Sequence, residues 1–252
     1  MASIQNILRS SCVFMDVSQG IEDERIAALR EKLSEAKPIV LLHGNSELFC
    51  NGFNLEKITE ESTDEELSRG SHGLVHFQEL LNTLHHEDRT VVAVVEGPAR
   101  GGGVGLAAVA DLVIANKDAS FALPEALFGL APAVVLPFIA NRIGLIRTQQ
   151  LAFGAIAMNA IRAEQWGMVD ILESQEPNFD LNRTLQKLLY LDSESIAVTK
   201  QLARSLQTEC CSYDKAATEE FDRLSARTAT SDRILRYMQG DTPWKSECEA
   251  TT

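Results

Sequence analysis

The sequence contains no apolar run long enough to cross a bilayer. Its most apolar stretch, Ala126–Ala140, has 15 residues and is broken by Pro132 and Pro137, whereas a membrane span needs about 20. The N-terminus, MASIQNILRSSCVFMDV, lacks the apolar segment of a signal peptide. None of the five cysteines (Cys12, Cys50, Cys210, Cys211, Cys248) sits in C-x-x-C spacing, and the count is odd. A disulfide framework and a zinc knuckle are therefore not expected, and the cysteine usage fits a reducing compartment. A basic excess is missing too. Lys and Arg number 23 against 36 Asp and Glu, a net charge of −13, with −9 of it in residues 1–99. Such a chain is unsuited to nucleic acid, which selects a positive face. No H-E-x-x-H, G-x-S-x-G or G-x-x-x-x-G-K-[ST] occurs, so a zincin site, a hydrolase elbow and a P-loop have no support. The reading is a cytoplasmic protein with no membrane, metal or nucleic-acid partner.

What is present is a 252-residue chain, 45% apolar, enough for one large domain or a core with an appendage. Ile39–His43 (IVLLH) and Val91–Val95 (VVAVV) are short apolar runs bounded by turn residues, the pattern of buried parallel strands. CVFMDV within Ser11–Val17 and Leu112–Ala115 add two more strands. Helical spacing is predicted over Ile21–Ala36 and Val75–His86, and over the small-residue segment Gly101–Ala110. Beyond that the chain reads as mostly helical, ending in one long helix over Tyr213–Gln239. The acidic segment Glu56–Gly70 reads as a surface loop or frayed helix. Strands alternating with helices, then a helical tail, give an α/β class with a C-terminal helical extension.

Three segments carry chemistry. Phe49-Cys50-Asn51-Gly52-Phe53-Asn54 follows the IVLLH strand, and Gly52 permits a sharp turn that exposes the next backbone N–H. Gly97-Pro98-Ala99-Arg100-Gly101-Gly102-Gly103-Val104-Gly105-Leu106 follows VVAVV and opens a helix, whose first N–H groups lack internal partners and can hold an anion or a developing oxyanion. Its Gly103-x-Gly105-x-x-Ala108 matches a dinucleotide fingerprint by letter only. Two other strands precede it, and no acid sits at a strand end about 20 residues on to take a ribose. The third segment, ASFALPEALFGLAPAVVLPFIANRIG, holds a single carboxylate, Glu125, directly after Pro124. Apolar surroundings raise a carboxyl pKa and make it fit to take and give protons near neutrality. A water-facing glutamate that only opens a helix is the other reading of the same segment.

In this order the three segments resemble the crotonase (enoyl-CoA hydratase/isomerase) superfamily over roughly residues 39–170. The resemblance implies a ββα spiral core, here 1–190, with a helical extension at 191–252 that serves trimerisation. It implies an oxyanion hole from the N–H groups of Phe53 and Gly102, with Gly52 and Asn54 beside the substrate and Glu125 as the catalytic acid–base. Arg100 reads either as a surface arginine or as a partner for a substrate carboxylate, which its planar guanidinium suits. Hydratases of the family commonly carry a second glutamate at the position held here by Gly105. Its loss is the pattern of Δ3,Δ2-enoyl isomerases and of the dehydratase of polyketide β-branching, which removes water from a hydroxymethylglutaryl group on an acyl carrier protein. SFALPEALFGLAPAVVLPFIANRIG, EQWGMVD and the tail ILRYMQGDTPW look most like that dehydratase.

The shortened N-terminal MDVSQGIEDERI lacks the family's Asn-Arg-Pro turn, which helps bind CoA, and this suits a carrier-linked substrate. Asn54 stands where many members have Asp. The expected partner is therefore an acyl carrier protein or CoA thioester, the expected assembly a homotrimer or hexamer, and no cofactor is needed beyond the carrier's phosphopantetheine. Arg142, Arg147, Arg162, Arg223, Arg227, Arg233 and Arg236 are candidates to meet an acidic carrier. A catalytically silent, partner-binding relative is the reading from a different class.

Overall fold

The computed structural model describes residues 10–53, 64–154, 156–173, 179–205 and 213–241. Its centre is a five-stranded sheet, all parallel, in the order β1-β2-β3-β5-β8. The strands are β1 (Cys12–Asp16), β2 (Ile39–His43), β3 (Thr90–Val95), β5 (Leu112–Ala115) and β8 (Ile171–Leu172). Every residue of β3 is buried and four of the five in β2 are, so both faces of these central strands are covered. That is why they read as unbroken apolar runs rather than alternating ones.

A smaller sheet stands beside it: β4 (Pro98–Arg100), β6 (Ser120–Ala122) and β7 (Met158–Asn159), with β4–β6 parallel and β6–β7 antiparallel. Two isolated parallel bridges, Cys50–Ala99 and Ile21–Phe53, extend this layer through the loop after β2. Each turn of chain thus lays one strand in the large sheet and one short extended stretch in the small layer before its helix. These short strands were not legible in the sequence, because two or three residues carry no periodicity.

The helices are α1 (Asp23–Lys32), α2 (Asp64–His86), α3 (Gly102–Val109), α4 (Leu136–Ile143), α5 (Leu145–Gly154), α6 (Ala160–Trp166), α7 (Phe179–Leu188), α8 (Ser193–Ser205), α9 (Tyr213–Ser225) and α10 (Thr228–Met238). A 3₁₀ turn spans Glu125–Phe128. Helix α2 starts at Asp64, well before Val75, so part of the expected 56–70 loop is helical. The single helix expected over Tyr213–Gln239 is two. Arg227 is extended (φ −76°, ψ 128°), and the Thr230 hydroxyl donates to the Leu224 carbonyl at 2.8 Å, which closes the corner. Among the described residues no helix is long and apolar enough to cross a membrane.

Helix α3 is buried at all eight positions, and its glycines are packing devices. A Cβ on Gly103 would lie 2.3 Å from the Cys50 carbonyl oxygen. Backbone therefore meets backbone there, and no side chain fits. At the sheet edge, ion pairs anchor the strand ends. The Arg142 guanidinium pairs with Asp170 and donates to the carbonyls of Ala110 (2.7 Å) and Met168 (3.0 Å). Lys200 on α8 reaches Asp111 at 2.6 Å.

Gly103→Ala is expected to cost about 1–3 kcal/mol through overpacking, read as a lower urea midpoint with unchanged slope. Gly154→Ala, with open space around the new methyl, should leave the midpoint unchanged or raise stability by about 0.4–1 kcal/mol.

Candidate active site

The site is built where the loop after β2 touches the start of α3. Gly52 has φ +76°, and a Cβ on it would sit 2.8 Å from the Gly102 nitrogen and 3.0 Å from the Arg100 carbonyl. Only glycine permits both the left-handed turn and this approach. Three hydrogen bonds hold the register: Ile21 N–H to Gly52 O (3.1 Å), Cys50 N–H to Pro98 O (3.2 Å) and Arg100 N–H to Cys50 O (2.9 Å). The sequence motifs FCNGFN and GPARGGG, about 50 residues apart, are thereby fixed side by side. The N–H groups of Phe53 and Gly102 make no hydrogen bond to another described residue. Both residues line one cavity of about 640 Å³.

Glu125 lines the same cavity. Pro124 and Leu123 bring it off β6 into the 3₁₀ turn, and Gly129 ends that turn at φ +83°. Its Oε2 is sealed from solvent with no hydrogen-bond partner among the described residues. Its Oε1 packs against Gly101, where a Cβ would lie 3.0 Å away and would crowd it. Burial pushes the carboxyl pKa up from 4.5 to about 7, opposed only by its own backbone N–H. Of the two sequence readings of Glu125, the structure favours the desolvated one: the residue as a whole is half-buried, but its Oε2 is shut off from solvent.

Arg100 also lines the cavity. It is held by the Ser120 carbonyl (3.1 Å), the Ser120 hydroxyl (3.0 Å) and the Ala99 carbonyl (3.0 Å), and it pairs with no carboxylate among the described residues. Burial lowers its pKa, and nearby Tyr237 raises it. Asn54 lies outside the described residues, so the structure describes Gly52, Phe53, Arg100, Gly102 and Glu125 together at one cavity.

Several lining residues were not legible in the sequence. Tyr237 and Met238 arrive from α10, and Tyr237 packs edge to face on Phe128 at 5.2 Å. Val135 projects from the turn before α4. The tail ILRYMQGDTPW marked a family likeness but no place at the cavity, and nothing local marked Val135. Cys50, though adjacent, is fully buried with its thiol pushed up to about 12 by desolvation, which leaves it unfit as a nucleophile. The histidines with described side chains are engaged elsewhere. His76 meets Asp23 at 3.0 Å, and His86 meets the Asn82 carbonyl at 2.8 Å.

A carboxyl that titrates near 7 when folded and at 4.5 when unfolded keeps its proton longer in the folded state. The unfolded state therefore releases its proton first, and folding stability falls as pH rises through this window. Glu125→Gln removes that dependence. Its stability relative to the wild type should climb between pH 4.5 and 7, by up to about 3 kcal/mol, and stay level above. Urea unfolding at stepped pH checks this.

Comparison with known proteins agrees with this geometry. The family described as enoyl-CoA hydratase/isomerase matches residues 17–242. Bacillaene synthase dehydratase PksH of Bacillus subtilis (strain 168) is 27% identical over 232 residues, covering 92% of this chain and 88% of that protein. Carnitinyl-CoA dehydratase of Salmonella enteritidis PT4 is 31% identical over 182 residues, covering 68% of this chain and 64% of that protein. The crystal structure of PksH from Bacillus subtilis superposes with a TM-score of 0.80 at 25% identity, covering 92% of this chain and 95% of the other. An enoyl-CoA hydratase from Bacillus halodurans gives 0.76 at 21% identity, covering 89% and 96%. With the fold, the spiral order of its strands and this match over most of its length, the chain belongs to the enoyl-CoA hydratase/isomerase family and is an enzyme of the crotonase fold.

Proposed function

We propose that the protein is a hydro-lyase that removes water from a 3-hydroxyacyl thioester, with 3-hydroxy-3-methylglutaryl on an acyl carrier protein as the substrate and the 3-methylglutaconyl thioester as product. One observation carries the reading. A buried carboxyl with a pKa near 7 shares a cavity with two backbone N–H groups that no described residue satisfies. In the proposed reaction the thioester oxygen lies between the Phe53 and Gly102 N–H groups. Glu125 takes the α-proton, and the two amides hold the negative charge that moves onto oxygen. Preorganised donors make that enolate accessible. The enolate then expels the β-hydroxyl, which leaves as water with the proton Glu125 has taken. Arg100, partly buried and without a carboxylate partner among the described residues, is assigned the distal carboxylate of the acyl chain. The phosphopantetheine arm delivers the acyl group, and the chemistry calls for no separate cofactor.

The relative with 92% coverage is named as a polyketide dehydratase, which supports this substrate class. A Δ3,Δ2-enoyl isomerase is the second reading, favoured by the lack of a side chain at Gly105 while Glu125 is kept. For the carrier, Arg233 and Arg236 stand on α10 beside the cavity-lining Tyr237 and Met238. Arg142 is removed from the candidate surface, since its side chain is 11% exposed and committed to Asp170. Arg162 lies over the Trp166 ring at 4.7 Å, and Arg223 pairs with Glu220. We place the protein in the cytoplasm, where the free thiols of Cys12 and Cys50 stay reduced. We assign it a homotrimer or a hexamer built as a dimer of trimers, because Leu145, Ile146, Phe153, Ile156 and Ile161 form an apolar stretch around α5 and α6 that is 55–78% exposed.

Wild-type protein given the hydroxymethylglutaryl thioester on carrier and on CoA should yield a product lighter by one water. An unchanged mass with a moved double bond, on an enoyl substrate, supports the isomerase instead. No turnover of either, with partner binding kept, supports a silent subunit. Glu125→Gln should lower kcat by about 10²–10⁴ with little change in thioester binding, and the wild-type kcat/KM should rise with pH through about 7 as the base ionises. Separately, Phe153→Asp should convert the oligomer to monomer in light scattering.

A further inference from the structure

The space beside Gly105 on α3 is filled by a side chain from another segment. A Cβ on Gly105 would lie 2.3 Å from Val135 Cγ1, 2.8 Å from Val135 Cβ and 3.7 Å from Leu81 Cδ1. Gly105 is buried within α3, while Val135 lines the cavity. Val135 therefore stands between Gly105 and the substrate space. It is not a loose filler: it is 3% exposed, its N–H donates to the Pro132 carbonyl (3.2 Å), and its carbonyl receives the Ile139 N–H (3.2 Å). Its cavity neighbours Pro132, Ala133 and Val134 are equally apolar. No water can be held for attack by a group at position 105.

We infer that Val135 is a specificity residue that selects 3-hydroxyacyl thioesters bearing an alkyl branch on the β-carbon; this rests on the dehydratase reading above. The β-carbon carries the hydroxyl, the acyl chain and one further substituent. The hydroxyl must face Glu125, the acid–base of the proposed reaction, for the carboxyl to return the proton it took from the α-carbon. The substituent turned toward Val135 then meets a branched hydrocarbon wall, which favours a methyl over a hydrogen by added contact and lost water. The same substitution suits a reaction in which Glu125 is the acid–base. Alkyl groups on the β-carbon ease departure of the hydroxyl and stabilise the more substituted double bond. The balance closes without a co-reactant: the Cα–H and Cβ–O bonds break, the double bond forms, and the proton leaves with the hydroxide as water.

The test separates binding from turnover. Isovaleryl- and butyryl-pantetheine thioesters have no β-hydroxyl and cannot eliminate; they differ by one methyl on the β-carbon. Calorimetry on the wild type should show the branched ligand bound about tenfold more tightly than the straight one. Val135→Ala removes the wall, and Val135→Thr keeps its shape while placing a hydroxyl there. Both should lower the branched-to-straight ratio by about tenfold. The kcat/KM ratio for 3-hydroxy-3-methylbutyryl against 3-hydroxybutyryl thioester should fall in parallel. A ratio within twofold of the wild type in both variants, or a wild type that does not discriminate, overturns the role of Val135. Should Val135→Ala fail to fold, the near-isosteric Val135→Thr decides alone. If the wild type releases no water from any 3-hydroxyacyl thioester, the dehydratase reading falls, while the binding ratios still decide whether Val135 reads the branch.

Discussion

The contact on which the site depends is one in which two backbones meet with no side chain between them. At Gly52 the loop after β2 comes so near the first residue of α3 that even a methyl group would collide with the Gly102 nitrogen. That approach sets two main-chain N–H groups at one cavity and leaves both without a described partner. An unsatisfied buried donor costs free energy. The protein carries that cost in a helix wholly buried in the core, where the surrounding apolar packing sustains it. A donor held in place before the reaction needs no reorganisation when charge appears.

The buried carboxyl is the second such cost. Glu125 Oε2 has no partner among the described residues, and Oε1 packs against Gly101. The desolvation that destabilises its ionised form is the same effect that brings its pKa near neutrality. Stability and reactivity are thus opposed at one atom. The opposition is affordable because the 3₁₀ turn is braced from outside. Arg233 approaches the Leu127 carbonyl at 3.4 Å, and Phe128 packs on Tyr237. The C-terminal helices therefore belong to the site as well as to the fold: α9 lies against α2, and α10 lies against the turn that carries the acid.

How much was legible in the sequence varied by element. The central strands were, because burial on both faces removes polar residues and leaves plain apolar runs. Glu125 was, as the single acid in a 26-residue apolar segment. The short strands of the second layer were not, since their pairing is long-range and their length carries no period. The break at Arg227 was hidden because helical spacing continues through it, and the corner is closed by a tertiary arrangement around Thr230. Val135 was silent because a valine in an apolar segment looks like any other core residue; its meaning comes from what it touches.

By itself the sequence determined the kinds of group available: glycines where backbone must approach, one acid in greasy surroundings, and no side chain at position 105. Those are local properties, written in residue type and in period. Tertiary structure alone decided that Phe53 and Gly102, from distant segments, line one cavity, that one carboxyl oxygen of Glu125 is shut off from solvent, and that a valine from a third segment fills the space beside Gly105. Such outcomes depend on which surfaces are brought within a few ångströms of each other, and that is fixed by packing the whole chain, not by any one stretch of it.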